Sequence, residues 1–263
     1  MSAATVEAGG VALAVDDRGD GPAVVFVHGA ASSRAAWDET VAALGEGVRA
    51  VTYDRRAYGD SGAPEPYTGT TVGEQSDDLI ALLKSLGATP AVLVGHALGA
   101  MVALDVVLRS PDLVRAAVLI EPPVLWLSPG GPDAVGDLRI AIERAARDRG
   151  PGAAVEGYLE YVAGPDALDL YGPARADAAR RDTRAFVADL AAGPSWAAAR
   201  RELRTVSVPV SLITGWRSSP VWQEATRALA DLLPSAKLIE LESGHLAMLE
   251  QPEAVAEAVR ARL

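Results

Sequence analysis

The chain contains no cysteine and only three histidines, at positions 28, 96 and 245. Without thiols it forms no disulfide and offers no thiolate for covalent chemistry or for zinc. The three histidines stand far apart, and their separations match no metal-ligand spacing. The sequence therefore predicts neither a metal site nor a cofactor.

Positive charge is also scarce, since 24 basic residues accompany 35 acidic ones and the net charge is −11. The charges are spread along the chain rather than in blocks, which disfavours nucleic acid and anionic membranes as partners. No apolar run approaches the length of a bilayer span, and the first residues lack the basic region and apolar core of a signal peptide. We therefore expect a cytoplasmic protein. Lysine occurs only at positions 84 and 237, and the excess of arginine over lysine indicates a bacterial source.

Apolar strand-like runs alternate with helical patterns over most of the 263 residues. Such alternation predicts an α/β fold, with a mainly parallel sheet covered by helices on both faces. Ligands bind such sheets at the carboxyl ends of the strands, so we expect the chemistry just after a strand. The predicted strands are 11–15, 23–27, 49–53, 91–94, 116–120, 210–214 and 237–241, and the predicted helices are 74–86, 98–108, 221–232 and 252–263.

Residues 124–205 interrupt this alternation with helical runs that are rich in alanine and arginine. We interpret them as a helical cap inserted into one core domain, which comprises residues 1–123 and 206–263. An exposed apolar patch on the cap would support a homodimer. The aromatic residues of the cap are candidates for substrate contact, although packing on the core also explains them; they are Trp126, Tyr158, Tyr161, Tyr171, Phe186 and Trp196.

The segment Gly95-His96-Ala97-Leu98-Gly99 lies between a predicted buried strand and a predicted buried helix. This context is typical of the nucleophile elbow G-x-S-x-G, whose glycines let the strand and the helix approach without side-chain clashes. Ala97 stands where the serine belongs, so the attacking hydroxyl is missing. Leu98 after it matches the serine form of the elbow rather than an aspartate form, which usually has tryptophan there.

With two further segments, the chain resembles the α/β-hydrolase fold family over essentially its full length. His28-Gly29-Ala30-Ala31 looks like the family's His-Gly oxyanion loop, and residues 53–62 look like its D-x-R-G-x-G-x-S segment with Ala57 in place of a glycine. The resemblance implies an α/β-hydrolase domain with a helical cap, whose oxyanion hole consists of the N–H groups of Ala30 and Leu98. Ser61 is a weaker candidate nucleophile, because nothing else of a serine-protease fold accompanies it.

The resemblance also points to a base and an acid. Ser243-Gly244-His245 follows the last predicted strand and precedes Glu250-Gln251-Pro252, as in the family's G-H-x-x-x-x-E-x-P ending. The usual acid position after 210–214 holds no carboxylate, whereas Glu121 ends the strand 116–120, as in a subset of the family. A charge there is costly unless it is paired, and an imidazolium would pair with it.

His245 is therefore the predicted base and Glu121 the predicted acid, with Glu240 and Glu242 as weaker alternatives for the acid. His28 and His96 are expected to shape the oxyanion loop and the elbow rather than to act as bases.

Two functions follow from these residues. The first is a carboxylic-ester or lactone hydrolase with a Ser-His-Glu triad, here an inactive variant in which Ala97, engineered or natural, allows binding but no turnover. The second is a natural nucleophile-free member of the fold that uses His245 in a cyclisation or a cofactor-free oxygenation, or that only binds a ligand.

A bulky apolar ester or lactone is the expected small-molecule substrate. Tryptophans in and near the cap are similar to those of lactonases that open macrocyclic resorcylic lactones such as zearalenone. They are the predicted substrate-binding residues Trp126, Trp196, Trp216 and Trp222.

Overall fold

A computed structural model describes residues 4–263 of the chain. The predicted core domain begins at residue 1, and residues 1–3 lie outside the described part. The strands are β1 (Ala4–Ala8), β2 (Val11–Arg18), β3 (Ala23–Val27), β4 (Arg49–Tyr53), β5 (Ala91–His96), β6 (Val114–Ile120), β7 (Val210–Gly215) and β8 (Ala236–Leu241). The helices are α1 (Asp38–Leu44), α2 (Val72–Ser85), α3 (Leu98–Arg109), α4 (Gly131–Arg149), α5 (Ala153–Ala163), α6 (Ala167–Arg181), α7 (Thr183–Ser195), α8 (Arg200–Leu203), α9 (Pro220–Leu232), α10 (Ala247–Glu250) and α11 (Pro252–Arg260).

The eight strands form one sheet in the order β1-β2-β4-β3-β5-β6-β7-β8. The strands β3 to β8 run parallel, while β2 pairs antiparallel with both β1 and β4. β1 and β2 form a hairpin that turns at Gly9 and Gly10, whose φ angles of 60° and 80° favour glycine. The predicted α/β fold with a mainly parallel sheet is confirmed.

The strand order reverses at β3, and this reversal positions the site. β4 lies on one side of β3 and β5 lies on the other side. The loops that follow β3 and β5 therefore leave the sheet in different directions. A crevice at such a reversal is the usual ligand site of an open α/β sheet. The register pairs Val27 with Gly95, so the segment after β3 and the elbow after β5 begin at the same level.

Two glycines permit the tight turn from β5 into α3. A Cβ on Gly95 would lie 2.6 Å from the Cα of Ala100, and a Cβ on Gly99 would overlap the carbonyl oxygens of Val27 and His28. Any larger residue would therefore separate the helix from the sheet. This is the physical reason for the glycine spacing in the elbow motif.

Between β6 and β7 the chain contains five α-helices, α4 to α8, in the region that the sequence predicted as a helical cap. α7 lies close to the elbow, since a Cβ on Gly193 would come within 3.7 Å of a methyl group of Leu98. α7 of this region thus lies beside the elbow at the carboxyl end of β5. Within residues 4–263, no helix has the length and apolar character that crossing a bilayer would require.

Candidate active site

Ala97 forms the apex of the turn between β5 and α3. Its backbone has φ 47° and ψ −120°, and its side chain is only 3% exposed. Its N–H donates to the carbonyl of Ile120 at 2.9 Å, which holds the turn against β6. A positive φ on a non-glycine residue costs on the order of 1–3 kcal/mol. The alanine therefore keeps a strained geometry that is typical of a nucleophile position, with a methyl group at the apex.

His245 and Glu121 form a buried pair at the same edge of the sheet. The Nδ1 atom of His245 lies 2.6 Å from Oε2 of Glu121, and the two side chains are 3% and 1% exposed. Ser218 Oγ donates to the same carboxylate oxygen at 2.6 Å. The other oxygen accepts hydrogen bonds from Thr214 Oγ1 at 2.8 Å and from the N–H of Gly215 at 2.9 Å. Each carboxylate oxygen of Glu121 thus has two hydrogen-bond partners, which compensate for its burial.

These contacts keep Glu121 ionised. Burial acts to raise its pKa, but hydrogen bonds from His245 and Ser218 outweigh burial, so the pKa lies below its usual value. Its backbone has φ 42°, a second strained position, and its N–H donates to Ile213 at 3.0 Å. The carboxylate is therefore charged and fixed when it accepts the Nδ1 proton of the imidazole.

The ring of His245 packs between two aromatic rings. Its centroid lies 4.7 Å from that of His96 and 5.7 Å from that of Trp222. His96 immediately precedes Ala97, and its Nε2 lies 3.0 Å from the carbonyl oxygen of His245. These contacts bring the imidazole next to the elbow, and its role as a base stays a prediction.

The loop after β3 lies against the same apex. A Cβ on Gly29 would be 3.3 Å from the Cβ of Ala97. Within residues 4–263, the N–H of Ala30 has no protein acceptor. Leu98 is the first residue of α3, where a helix has no internal acceptor for its N–H. Both predicted oxyanion donors are therefore available.

Neither His28 nor His96 is placed as a base. His28 Nε2 accepts from the N–H of Arg55 at 3.0 Å, so its proton is on Nδ1, which donates to the carbonyl of Gly29 at 2.8 Å. Burial, together with nearby positive charge, lowers the pKa of both imidazoles well below the usual value. Both imidazoles are therefore neutral at pH 7, and their role in shaping the oxyanion loop and the elbow stays a prediction.

These two imidazoles should make the fold sensitive to mild acid. Below about pH 6.5 the unfolded chain protonates each histidine while the folded chain does not, so stability that is complete above this pH is lost as the pH falls. Each neutral imidazole contributes a slope of about 1.4 kcal/mol per pH unit. We expect His96→Gln to reduce the slope of unfolding free energy by about half a proton at pH 6.5 and by about one proton at pH 5.5, measured by urea denaturation.

The amide of His96→Gln can still donate to the carbonyl of His245, which makes it a conservative change. His28 stays in place in this variant and supplies the remaining slope. An identical slope in the variant and the original chain would contradict the assignment of His96 as neutral in the folded state.

The alternative residues have other roles. Ser61 Oγ donates to the carbonyl of Asp54 at 2.6 Å and accepts from the N–H of Ala14 at 2.9 Å, so it holds a turn. Glu240 pairs with Arg227 at 2.6 Å on the surface.

Ala57 has φ 65°, which is the physical reason why the family pattern usually has glycine there.

The four predicted substrate tryptophans occupy different environments. Trp126 and Trp196 pack edge to face at 5.6 Å, and Trp196 Nε1 donates to Asp105 at 2.8 Å. Trp222 is buried against the imidazole of His245, whereas Trp216 is 61% exposed on the surface. Contact of these rings with a substrate stays a prediction.

Among the described residues, no cluster of three or more histidine or carboxylate side chains could hold a metal ion.

Comparison with known proteins gives three kinds of match. A profile of the alpha/beta hydrolase family matches residues 24–258. A 2-(acetamidomethylene)succinate hydrolase from Mesorhizobium japonicum is 34% identical over 116 residues, which is 44% of this chain and 41% of that protein. This chain therefore spans less than half the length of that relative.

Solved structures match over nearly the whole chain. A thermophilic esterase from Thermogutta terrifontis, with malate bound, has a TM-score of 0.78 at 25% identity and covers 99% of this chain and 96% of its own. The enol-lactonase from Burkholderia xenovorans LB400 has a TM-score of 0.78 at 21% identity, with coverage of 98% and 99%. The resemblance seen in the sequence is confirmed, and the chain belongs to the alpha/beta hydrolase family.

Proposed function

We propose that this chain has the site of a Ser-His-Glu carboxylic-ester or lactone hydrolase in which Ala97 occupies the nucleophile position, so that it binds its substrate without turning it over. One observation carries the proposal: the strained apex at Ala97 lies beside a buried imidazole–carboxylate pair. A plain strand-to-helix turn would need neither the positive φ nor the buried charge, and both cost free energy.

Each remaining group has a role in acyl transfer. Because Glu121 accepts the proton of Nδ1, the lone pair of His245 lies on Nε2, where it would take the proton of a serine at the apex. The N–H groups of Ala30 and Leu98 would stabilise the oxyanion of the tetrahedral intermediate. The imidazolium would give its proton to the leaving alkoxide as the intermediate collapses to an acyl-enzyme, and water activated by the same imidazole would then release the acid. Only the attacking oxygen is missing.

An apolar substrate is favoured by the apolar groups of the elbow and the cap. Leu98 at the elbow lies close to α7, and Trp126 and Trp196 of the predicted cap pack against the hydrophobic core. We therefore infer a bulky apolar ester or lactone, with zearalenone-like macrocyclic lactones as one member of the class. The similarity to the Thermogutta terrifontis esterase supports ester chemistry. The more distant enol-lactonase supports the fold alone.

Covalent labelling tests the nucleophile position directly. We expect the Ala97→Ser variant to react with a fluorophosphonate probe and to form one adduct at position 97, detected by mass spectrometry, because the imidazole and the oxyanion donors activate that hydroxyl. The original chain and the double variant Ala97→Ser, His245→Gln are the controls, and both should stay unlabelled. A folded Ala97→Ser protein that does not react would overturn the proposal.

A nucleophile-free function is the second candidate, and Ala97 itself favours it. The pair of His245 and Glu121 is complete without a hydroxyl, so it could move a proton of a bound substrate in a cyclisation or a cofactor-free oxygenation, or the site could only bind a ligand. The codon for residue 97 in the source gene separates the two candidates. A serine codon eliminates the second, and an alanine codon favours it.

A homodimer through the cap also stays a proposal. Four apolar cap residues are exposed and would supply its contact surface. They are Val135, Ile140, Leu170 and Val187.

A further inference from the structure

The peptide group between Gly29 and Ala30 is anchored through its carbonyl oxygen. Its carbonyl oxygen accepts hydrogen bonds from Arg55 Nη2 at 2.9 Å and from His28 Nδ1 at 2.8 Å. Because a trans peptide is planar, its C=O and N–H groups point in opposite directions. Fixing the oxygen of Gly29 therefore fixes the direction of the free N–H of Ala30.

Arg55 holds two consecutive carbonyls of this loop. Its Nε donates to the oxygen of His28 at 2.8 Å, in addition to the bond to Gly29. A charged donor withdraws electron density from the carbonyl and thereby strengthens the N–H of the same peptide as a donor. The guanidinium thus both aims the N–H of Ala30 and polarises it.

The cap holds this guanidinium in place. Asp189 of α7 accepts from Arg55 Nη2 at 2.7 Å and from Nη1 at 3.2 Å, and both side chains are 1% exposed. Gln75 of α2 accepts from Arg55 and donates to Asp189 at 2.9 Å. Burial acts to lower the pKa of Arg55, and the carboxylate of Asp189 raises it above its usual value. The arginine therefore stays charged at the back of the loop.

Tyr58 completes the arrangement. Its hydroxyl donates to Asp189 at 2.6 Å and accepts from the N–H of Ala31 at 3.3 Å. The N–H of Ala31 is thus occupied while its neighbour, the N–H of Ala30, is not. The next residue in the loop, Ala31, has φ 52°, a left-handed backbone geometry that is strained for a non-glycine residue.

We propose that Arg55 is a positioning residue for the oxyanion donor of Ala30, and that Asp189 on the cap holds Arg55 in the position that aims this donor. The consequence for catalysis rests on the proposed function, whereas the positioning of the peptide does not. The oxyanion hole is then complete only when α7 is docked on the core.

The chain offers a matched control in the next residue. Arg56 binds Asp78 of α2 through Nε at 2.6 Å and Nη2 at 2.8 Å, and the two side chains are 6% and 3% exposed. This is also a buried bidentate pair from the same segment. Within residues 4–263, neither side chain has a hydrogen bond to residues 28–31.

The kinetic test uses the Ala97→Ser background. Lysine at position 55 has one donor nitrogen in place of three, so it cannot bind the two carbonyls and both oxygens of Asp189 together. We therefore expect Arg55→Lys to lower kcat by about tenfold to a hundredfold, which does not exceed the loss of a whole oxyanion donor, with KM changed by less than about twofold. Arg56→Lys should lower the melting temperature but leave kcat within about twofold. Equal kcat in the Arg55→Lys and Ala97→Ser proteins, or equal losses in both lysine variants, would overturn the proposal.

A second measurement does not depend on turnover. In the original chain with Ala97, we expect Arg55→Lys to move the carbonyl carbon resonance of Gly29 and the amide proton resonance of Ala30 upfield, since both groups lose polarisation. Tyr58→Phe, which keeps Arg55 and Asp189, should shift the amide of Ala31 instead. Unchanged resonances of Gly29 and Ala30 in folded Arg55→Lys would overturn the positioning role. If Ala97→Ser hydrolyses nothing, the proposed function fails, and these resonances still decide the role of Arg55.

Discussion

Ala97→Ser is expected to raise the rate of ester hydrolysis by about 10⁶-fold over the original chain, because removing the serine alone from a serine hydrolase costs about that factor in kcat. The substitution adds one oxygen to the side chain of residue 97, whose backbone already has the geometry of the apex. The base, the acid and the oxyanion donors need no rearrangement. Initial rates with aryl esters and a panel of lactones, including resorcylic macrocycles, would measure the effect.

Ala97→Gly is the matched control for this substitution. It relieves the positive φ without supplying a hydroxyl, so it should stabilise the fold slightly and stay inactive. A folded Ala97→Ser protein that hydrolyses no member of a broad ester and lactone panel would rule out the hydrolase and leave the nucleophile-free function.

In the Ala97→Ser background, Glu121→Gln is expected to lower kcat by about 10⁴-fold, the loss seen when a triad carboxylate becomes an amide. An amide nitrogen in the place of Oε2 would donate to Nδ1 of His245 and force the proton onto Nε2, which then cannot act as a base. In the flipped orientation the nitrogen would face the N–H of Gly215 and lose that hydrogen bond. Steady-state kinetics with an aryl ester would show the loss in kcat rather than in KM.

Glu240→Gln serves as the control for this prediction. Glu240 was the weaker candidate acid, and it forms a surface ion pair whose removal costs at most about 1 kcal/mol. Its kcat should match that of the parent variant. Equal losses in the two glutamine variants, or a Glu121→Gln protein with undiminished kcat, would remove Glu121 from the proposed triad.

Much of the fold could be predicted from sequence because buried parallel strands are continuous apolar runs. β3 and β4 coincide with the predicted strands 23–27 and 49–53, and β5 extends two residues beyond the predicted 91–94. β1 was missed, since it is a mostly exposed edge strand without an apolar pattern. The dipeptide Gly9-Gly10 is the sequence signal for the hairpin turn that follows β1.

The candidate site was predictable only where a motif marks it. His245 and Glu121 follow strands in recognisable patterns, and the structure brings them together. The roles of the Thr214 and Ser218 hydroxyls could not be predicted, because the hydrogen-bond partners of a buried carboxylate have no sequence motif. Asp189 lies 134 residues from Arg55 in the sequence, and only tertiary packing reveals that pair.

The buried pair of Arg55 and Asp189 also limits how ligands reach the site. If the helices between β6 and β7 moved away from the sheet as a rigid body, the guanidinium of Arg55 would lose its carboxylate partner. Breaking such a buried pair costs about 3–5 kcal/mol. Two further ion pairs connect the same helices to the rest of the chain, Arg175 with Glu39 and Arg184 with Glu65. Binding of any ligand that needs these helices to move as one body must therefore offset this cost, which favours ligands that fit without such a movement.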